Sequence, residues 1–336
     1  MNSIPPFHPP SLIKGPHAQT MAAFFTRRLS SGRGITFKRT RLDTADGDFV
    51  DIDFPIVPGY RWLWTELGET SPLVLVLHGL EGSARGSLSL EIYRQLAKQG
   101  IRSVGLNFRS CSGEMNRTHV LYHSGATDDV TFLLEWLNDN FPNVPKGLIG
   151  FSLGGNVTLK YMGENSRFVD TAVAISPPFD LGLGSSIMET TGPFYMTKIL
   201  QSLKSKARKN RHLYEQFVDV DAALSAKTFR EFDDAWQPIN GFKDGQDYYD
   251  KSSSKNFIGN ITKPTLILRS KDDPFFDPTD IPYDLLQNPA LTTILTEHGG
   301  HGGFVESVSL LQPQFWAERV GAQFLANHLC KQKAVA

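Results

Sequence analysis

One serine in the sequence stands in a pattern that enzymes use for nucleophilic catalysis. Ser152 lies at the centre of the segment GFSLG (residues 150–154). An apolar, strand-like segment at 146–149 precedes it, and a segment with helical spacing starts at Asn156. In a nucleophile elbow, a strained turn between a strand and a helix lifts the serine hydroxyl clear of the sheet. The pattern therefore predicts a nucleophile. The alternative, a glycine-rich turn that binds a phosphate, lacks the G-x-G-x-x-G pattern.

A serine needs a base, and two histidines and two aspartates downstream are candidates for that role. In enzymes built around such an elbow, the acid and then the histidine follow the serine along the chain. Asp273 is favoured over Asp272 because Pro274 fixes its turn, and Asp272 is then a turn-capping or solvated residue. His301 is favoured over His298 because glycines on both sides let its ring reach across the sheet edge.

Attack on an ester creates an oxyanion that needs two backbone N–H donors. Leu153, directly after the serine, supplies one of them. The segment HGLEG (residues 78–82) ends the first apolar run and is rich in glycine, so the Leu80 N–H is the candidate for the second. We expect His78 to be a packing residue. No third ligand stands at zinc-like spacing from His298 and His301, so we expect no metal and no cofactor.

The elements that must position these residues alternate between strands and helices. A hairpin is predicted at 37–42 and 49–54, around Asp46-Gly47. Short apolar runs without polar alternation, typical of parallel strands covered on both faces, follow at 73–77, 103–108, 147–151, 172–175, 265–268 and 292–295. Helical spacing of apolar residues is found at 88–99, 128–141 and 313–330. The alternation predicts an α/β fold with a mostly parallel central sheet.

Residues 177–263 separate two of the predicted strands by far more than a crossover requires, so we interpret them as an inserted helical cap. The predicted division is an N-terminal arm at 1–34, a core at 35–176 and 264–336, and the cap at 177–263. The cap is rich in apolar and aromatic residues and lies over the strand ends. An apolar roof favours an acyl chain, which predicts short- to medium-chain acyl esters as substrates.

Composition excludes several other classes of protein. The 336 residues carry 34 basic and 35 acidic side chains, so no overall charge favours nucleic acid. The start of the chain has no signal-peptide pattern, and no apolar stretch approaches the ~20 residues of a membrane span. Cys111 and Cys330 do not make a disulfide framework. The sequence predicts a soluble protein, located in the cytoplasm.

Several motifs together resemble the YheT-like family of α/β-hydrolases, which is related to eukaryotic α/β-hydrolase-domain proteins and yeast medium-chain ester synthases. The resemblance covers nearly the whole chain. Its motifs are FHPP (7–10), HAQT (17–20), HGLEG (78–82), NFRSCSGE (107–114), YHSG (122–125), the elbow, DDPF (272–275) and GGH (299–301). It implies the α/β-hydrolase fold, a Ser152–Asp273–His301 triad with the acid before a proline, and ester hydrolysis or acyl transfer. Ser110 departs from the pattern, because glycine is commoner there.

The favoured function is a serine esterase that works through a covalent acyl-enzyme and acts on a small-molecule or lipid-like ester. Two alternatives stay open: an acyltransferase or ester synthase on the same triad, and a non-catalytic binding protein that keeps the fold. A basic run between Lys198 and Arg211 is typical of a solvated helix face. Its alternative role is a weak peripheral contact of the cap with anionic lipid head groups.

Overall fold

The computed structural model describes residues 4–309 and 312–330, and its centre is an eight-stranded sheet. The order across the sheet is β1-β2-β4-β3-β5-β6-β7-β8. The pairs β1–β2 and β2–β4 are antiparallel, and the other neighbours are parallel. The strands are β1 Thr36–Asp43, β2 Phe49–Ile56, β3 Leu73–Leu77, β4 Arg102–Asn107, β5 Lys146–Phe151, β6 Thr171–Ile175, β7 Thr265–Ser270 and β8 Leu291–Thr296. The predicted hairpin and the predicted mostly parallel sheet are confirmed.

Helices cover both faces of this sheet and also form most of the segment between β6 and β7. They are α1 Pro16–Ser30, α2 Ser87–Lys98, α3 Asp128–Asn140, α4 Leu153–Glu164, α5 Leu181–Thr190, α6 Pro193–Lys209, α7 Arg211–Tyr214, α8 Val220–Ser225, α9 Phe229–Trp236, α10 Gly245–Ser252 and α11 Trp316–Leu329. Two short strands, β9 Val305–Ser307 and β10 Gln314–Phe315, form a separate antiparallel pair.

The apolar runs form strands because both of their faces are buried. Alternate residues of a strand point to opposite faces, and every residue of β3 is buried. Leu75 and its neighbours at odd positions pack with α3 and α4. Val74 and Val76 pack with α2 and α11 on the other face. This two-sided packing explains why the strands read as continuous apolar runs rather than as alternating ones.

The segment between β6 and β7 is helical, as predicted for a cap. Helices α5 to α10 lie here, and α5 to α9 share a hydrophobic cluster, which includes Leu200, Tyr214, Phe232 and Trp236. The division of the chain at residues 34, 177 and 263 stays a prediction.

The arm contains a helix, α1, that the sequence analysis did not predict. Its buried face consists of Gln19, Ala23, Thr26 and Arg27, which have helical spacing. Three of these four side chains are polar, so the helix has no apolar periodicity to detect. Residues 1–3, at the start of the predicted arm, lie outside the described residues.

Within residues 4–309 and 312–330, none of the helices combines the length and the apolar character that crossing a bilayer requires.

Candidate active site

Ser152 occupies a strained turn between β5 and α4. Its backbone has φ 53° and ψ −119°, a conformation that costs a non-glycine residue energy and persists only where the surroundings enforce it. The glycines on either side permit the turn. A Cβ at Gly150 would lie 2.0 Å from the Gly154 carbonyl oxygen, and a Cβ at Gly154 would lie 2.5 Å from the Leu77 carbonyl oxygen. The geometry is that of a nucleophile elbow.

His301, in the loop after β8, lies between Ser152 and Asp273. Its Nε2 is 2.9 Å from Ser152 Oγ, and its Nδ1 is 2.8 Å from Asp273 Oδ2. An ionised carboxylate only accepts hydrogen bonds, so Nδ1 carries the proton and Nε2 accepts from the serine hydroxyl. The side chains of His301 and Asp273 are 6% and 0% exposed. The three residues therefore form one line of hydrogen bonds, in which the histidine and the aspartate are shielded from water.

Asp272 and His298, the alternatives to this acid and base, contact each other instead. His298 Nδ1 lies 3.3 Å from Asp272 Oδ2. Asp272 Oδ1 also accepts a hydrogen bond of 2.9 Å from the Gly300 N–H. Asp272 thus supports the loop that carries His301, and neither residue joins the line to Ser152.

Aromatic rings surround the His301 imidazole. The Phe275 ring stacks on it at 4.0 Å between centroids, with 9° between the planes. Phe276 and Phe151 approach at 5.2 Å and 5.3 Å. The Phe275 N–H donates a 2.9 Å hydrogen bond to Asp273 Oδ1. The same turn therefore orients the carboxylate and holds the ring of the histidine.

The loop after β3 lies against the elbow. A Cβ at Gly79 would lie 3.3 Å from Ser152 Cβ, so the backbone just before Leu80 passes directly beside the serine. Leu153 is the first residue of α4, where an N–H has no partner within the helix. Leu80 and Leu153 both line the same cavity as Ser152. These positions suit two donors for an oxyanion.

His78 anchors this loop. Its Nε2 accepts a hydrogen bond of 3.2 Å from the Phe108 N–H, and its Nδ1 donates to the Gly79 carbonyl at 2.7 Å. Burial lowers the pKa of His78 to about 4, so the ring stays neutral. Within the described residues, His78 makes no hydrogen bond to His301 or Ser152, which agrees with a packing role.

Tyr122, of the YHSG segment, holds the same loop, and Glu81 of that loop connects it to the cap. Its hydroxyl accepts from the Glu81 N–H and donates to Glu81 Oε1, both at 2.8 Å. Glu81 has φ 56°. Lys206 of α6 lies 2.7 Å from the Glu81 carboxylate and 3.2 Å from Cys111 Sγ. Burial raises the pKa of Cys111 to about 11, so this residue is a packed thiol.

Helix α1 holds the loop that carries His301. Thr20 Oγ1 accepts a 2.9 Å hydrogen bond from the His301 N–H. The Gln19 side chain bonds both backbone groups of Val305. The Arg27 guanidinium donates to the Gly302 and Gly303 carbonyls at 2.8 Å and 3.0 Å, and pairs with buried Glu318 at 2.6 Å. The arm is therefore part of the site's framework.

A cavity of about 150 Å³ opens above Ser152 between the sheet and the cap. Its wall is largely apolar and aromatic, and includes Leu121, Leu181, Met188, Ile199, Leu203, Phe229, Phe232, Trp236, Phe275 and Phe276. A smaller number of polar side chains interrupt this surface, as is usual in ligand pockets.

The sequence predictions missed residues that act through backbone or loop contacts. Thr20, Gln19, Arg27, Tyr122 and Phe275 have no periodicity or spacing that identifies them. Four of the five lie in the HAQT, YHSG and DDPF segments, so the family resemblance is the one available signal for them.

Comparisons with known proteins agree on one family. Residues 72–308 match a family model described as alpha/beta hydrolase fold. The chain is 37% identical over 319 residues to the Escherichia coli (strain K12) protein YheT, which is named as an esterase. That match covers 93% of this chain and 91% of YheT.

A monoacylglycerol lipase of Saccharomyces cerevisiae is 28% identical over 276 residues, which cover 78% of this chain and 59% of that protein. Among solved structures, the esterase Pf2001 from Pyrococcus furiosus aligns with a TM-score of 0.56 and 18% identity, over 96% of this chain and all of that one. At this identity the structural match supports the fold alone. The names of the two sequence relatives, an esterase and a lipase, support ester hydrolysis in the broad sense.

Proposed function

Because this chain belongs to the YheT-like family of α/β-hydrolases, we propose that it is a serine esterase that cleaves carboxylic esters through an acyl-enzyme. The observation that carries the proposal is the line of hydrogen bonds from Asp273 through His301 to Ser152, at the floor of an apolar cavity. Nucleophile, base and orienting acid in this order supply the parts that acyl transfer needs.

In the proposed mechanism, Ser152 Oγ attacks the ester carbonyl carbon while His301 Nε2 takes the hydroxyl proton. Asp273 keeps the proton on Nδ1 and stabilises the imidazolium that forms. The N–H groups of Leu80 and Leu153 donate to the oxyanion of the tetrahedral intermediate. The imidazolium then protonates the leaving alcohol, and the acyl group remains on Ser152. A water molecule, activated by His301, releases the acid.

The apolar wall of the cavity supports short- to medium-chain acyl esters as substrates. Burying each additional CH₂ contributes roughly 0.8 kcal/mol. Phe232, Trp236 and Met188 offer such a surface above Ser152. The substrate is then a small-molecule or lipid-like ester with several methylene groups, rather than an acetyl ester.

Two other functions use the same residues. In an acyltransferase or ester synthase, an alcohol replaces water as the acceptor of the acyl group. In a binding protein, the fold and pocket remain but no acyl-enzyme forms. The intact line of hydrogen bonds favours catalysis over binding.

A fluorophosphonate probe and one ester test the proposal. We expect the probe to label Ser152, as located by peptide mass spectrometry, and the purified protein to hydrolyse p-nitrophenyl butyrate. The absence of both labelling and hydrolysis would make the protein a binding protein. Product analysis in the presence of ethanol separates the acceptors, because an ester synthase forms the ethyl ester in preference to the acid.

We also propose a weak contact between the cap and an anionic membrane surface, in a protein located in the cytoplasm. Three residues of the basic run are bonded within the protein and are not available to lipid: Lys204 donates to the Ala226 carbonyl, Lys206 pairs with Glu81, and Arg211 pairs with Asp221. Lys198, Arg208 and Lys209 remain exposed, and Lys198 lies over the ring of Phe194, which is also exposed. Cosedimentation with phosphatidylglycerol vesicles, lost when the three are replaced by glutamine, is the expected result.

A further inference from the structure

Two carboxylates line the cavity above Ser152, and their surroundings differ. The charge of Glu81 is compensated, because its carboxylate pairs with Lys206 at 2.7 Å and accepts hydrogen bonds from Tyr122 and Ser202. It is a structural link between the oxyanion loop and the cap. The other carboxylate, Asp233 of α9, has no such partner.

Asp233 is bonded only to neutral groups. Its Oδ2 accepts from the Tyr249 hydroxyl at 2.8 Å, and its Oδ1 accepts from Gln237 Nε2 at 3.2 Å. The nearby guanidinium of Arg230 instead pairs with the neighbouring Asp234, at 3.0 Å. Across residues 4–309 and 312–330, no cationic side chain lies within ion-pair distance of Asp233. Burial raises the pKa of Asp233 to about 6, so near pH 7.5 it carries a charge without a counter-ion.

A second polar group in the cavity is unpaired. Ser185 of α5 lines the same cavity and is 7% exposed, and its hydroxyl lies beside the Tyr249 hydroxyl but completes no hydrogen bond of good geometry within the described chain. A buried hydroxyl without a partner costs free energy, and native proteins rarely leave one unless a ligand or water completes it. An uncompensated carboxylate and an unpaired hydroxyl thus share one otherwise apolar cavity.

We propose that Asp233 and Ser185 form a polar subsite of the substrate cavity, which binds an O–H or N–H donor on the ester at a distance from the bond that is cleaved. The inference rests on the proposed function, since it identifies part of that function's substrate. It narrows the substrate class to esters whose chain carries a terminal hydroxyl or ammonium group. The donor bonds the free lone pairs of the carboxylate. A substrate hydroxyl can also accept a hydrogen bond from Ser185, and a substrate ammonium can donate one to the Ser185 oxygen.

The physical basis is the difference between Glu81, whose charge is compensated by Lys206, and Asp233, whose charge has no counter-ion and whose carboxylate keeps free lone pairs. A purely apolar chain entering this cavity would remove water from Asp233 and offer no replacement. A donor at the matching position restores that hydrogen bond and gains a charge-assisted one. Sites built to hydrogen-bond a substrate hydroxyl therefore discriminate strongly against the analogue that lacks it.

Binding to the Ser152→Ala variant tests the subsite without requiring turnover. Calorimetry would compare ethyl heptanoate with ethyl 6-hydroxyhexanoate and ethyl 6-aminohexanoate, and heptyl butyrate with 6-hydroxyhexyl butyrate. The first series places the donor on the acyl chain and the second on the alcohol. Because no bond is cleaved, the result stands even if the wild-type protein hydrolyses no ester.

We expect a donor-bearing ester to bind about tenfold more tightly than its methyl analogue in one of the two series. Adding Asp233→Leu should abolish that preference, while Asp233→Asn should keep part of the hydroxyl preference and lose any ammonium preference. Asp234→Asn, which removes the adjacent but exposed carboxylate, is the matched control and should change nothing. Equal or tighter binding of the methyl esters in both series, or a donor preference that survives both substitutions of Asp233, would overturn the proposal.

Discussion

Thr20 Oγ1 accepts a hydrogen bond of 2.9 Å from the backbone N–H of His301, a residue 281 positions later in the chain. The contact joins the N-terminal arm to the loop of the proposed base. The same loop is so closely packed against the arm that a Cβ at Gly300 would lie 2.3 Å from the Pro16 carbonyl oxygen. The arm thus helps to set the position of His301, and through it we expect the arm to affect catalysis.

Thr20→Val should lower kcat by about tenfold and leave KM within about twofold, because a displaced base slows proton transfer more than it weakens binding. Ser30→Ala is the control: its hydroxyl lies on the same helix but bonds only the Thr26 carbonyl. Steady-state kinetics on p-nitrophenyl butyrate measures both constants. A loss that appears in KM alone, or equally in the control, would show that the arm only stabilises the fold.

Much of this site could be predicted from sequence because its chemistry lies at strand ends. Ser152, Asp273 and His301 each follow an apolar run, and the runs form parallel strands whose carboxyl ends share one edge of the sheet. Their places in the sequence, each after a parallel strand, therefore predict that they lie close together, and the structure brings these three residues together.

The supporting residues could not be predicted in the same way. Thr20 and Tyr122 contact partners 281 and 41 positions away, and hydrophobic periodicity carries no information about such polar contacts. Helix α1 was missed because it buries Gln19, Thr26 and Arg27 rather than an apolar stripe. The backbone conformation of Ser110 could not be predicted either. Its φ of 61° lies in the left-handed region, which explains why glycine is commoner at this position, but the sequence does not indicate that a serine adopts this conformation here.

The paired candidates can be separated by substitution. His301→Ala and Asp273→Asn should each reduce kcat by about 10³-fold or more, since both break the line to Ser152. His298→Ala should retain most activity, and so should Asp272→Asn, which keeps an oxygen to accept from the Gly300 N–H. If His298→Ala or Asp272→Asn is the inactive variant, the base or the acid is misassigned.

Chain length should govern the choice of substrate. With each buried CH₂ worth roughly 0.8 kcal/mol, kcat/KM should rise by about fourfold for each methylene that the cavity receives, and level off once it is filled. Measurements on p-nitrophenyl esters of C2, C4, C6 and C8 acids give the profile. A steady decrease from C2 onward would show that the acyl chain does not enter the cavity beneath the cap.

The free energy of unfolding should decrease as the pH is lowered through a defined range, because His78 is buried in its neutral form. Burial lowers its pKa from the usual 6.5 to about 4, so the unfolded state binds a proton first as the pH falls. The stabilisation that this residue provides is complete above pH 6.5 and is lost as the pH falls towards 4, a loss of about 3 kcal/mol in all. His78→Gln removes this titration and retains an acceptor for the Phe108 N–H. Tm measured between pH 7.5 and 5 should fall less steeply in that variant, and parallel curves would refute the assignment.

Ser152→Ala tests the proposed mechanism most directly. The kcat of the purified variant on p-nitrophenyl hexanoate should be lower than wild type by about 10³-fold or more, because no other group can form the acyl-enzyme. Ser186→Ala, which removes an exposed hydroxyl from α5, should match wild type. If pure Ser152→Ala protein keeps even a tenth of the wild-type rate, Ser152 is not the nucleophile and the proposed function is wrong.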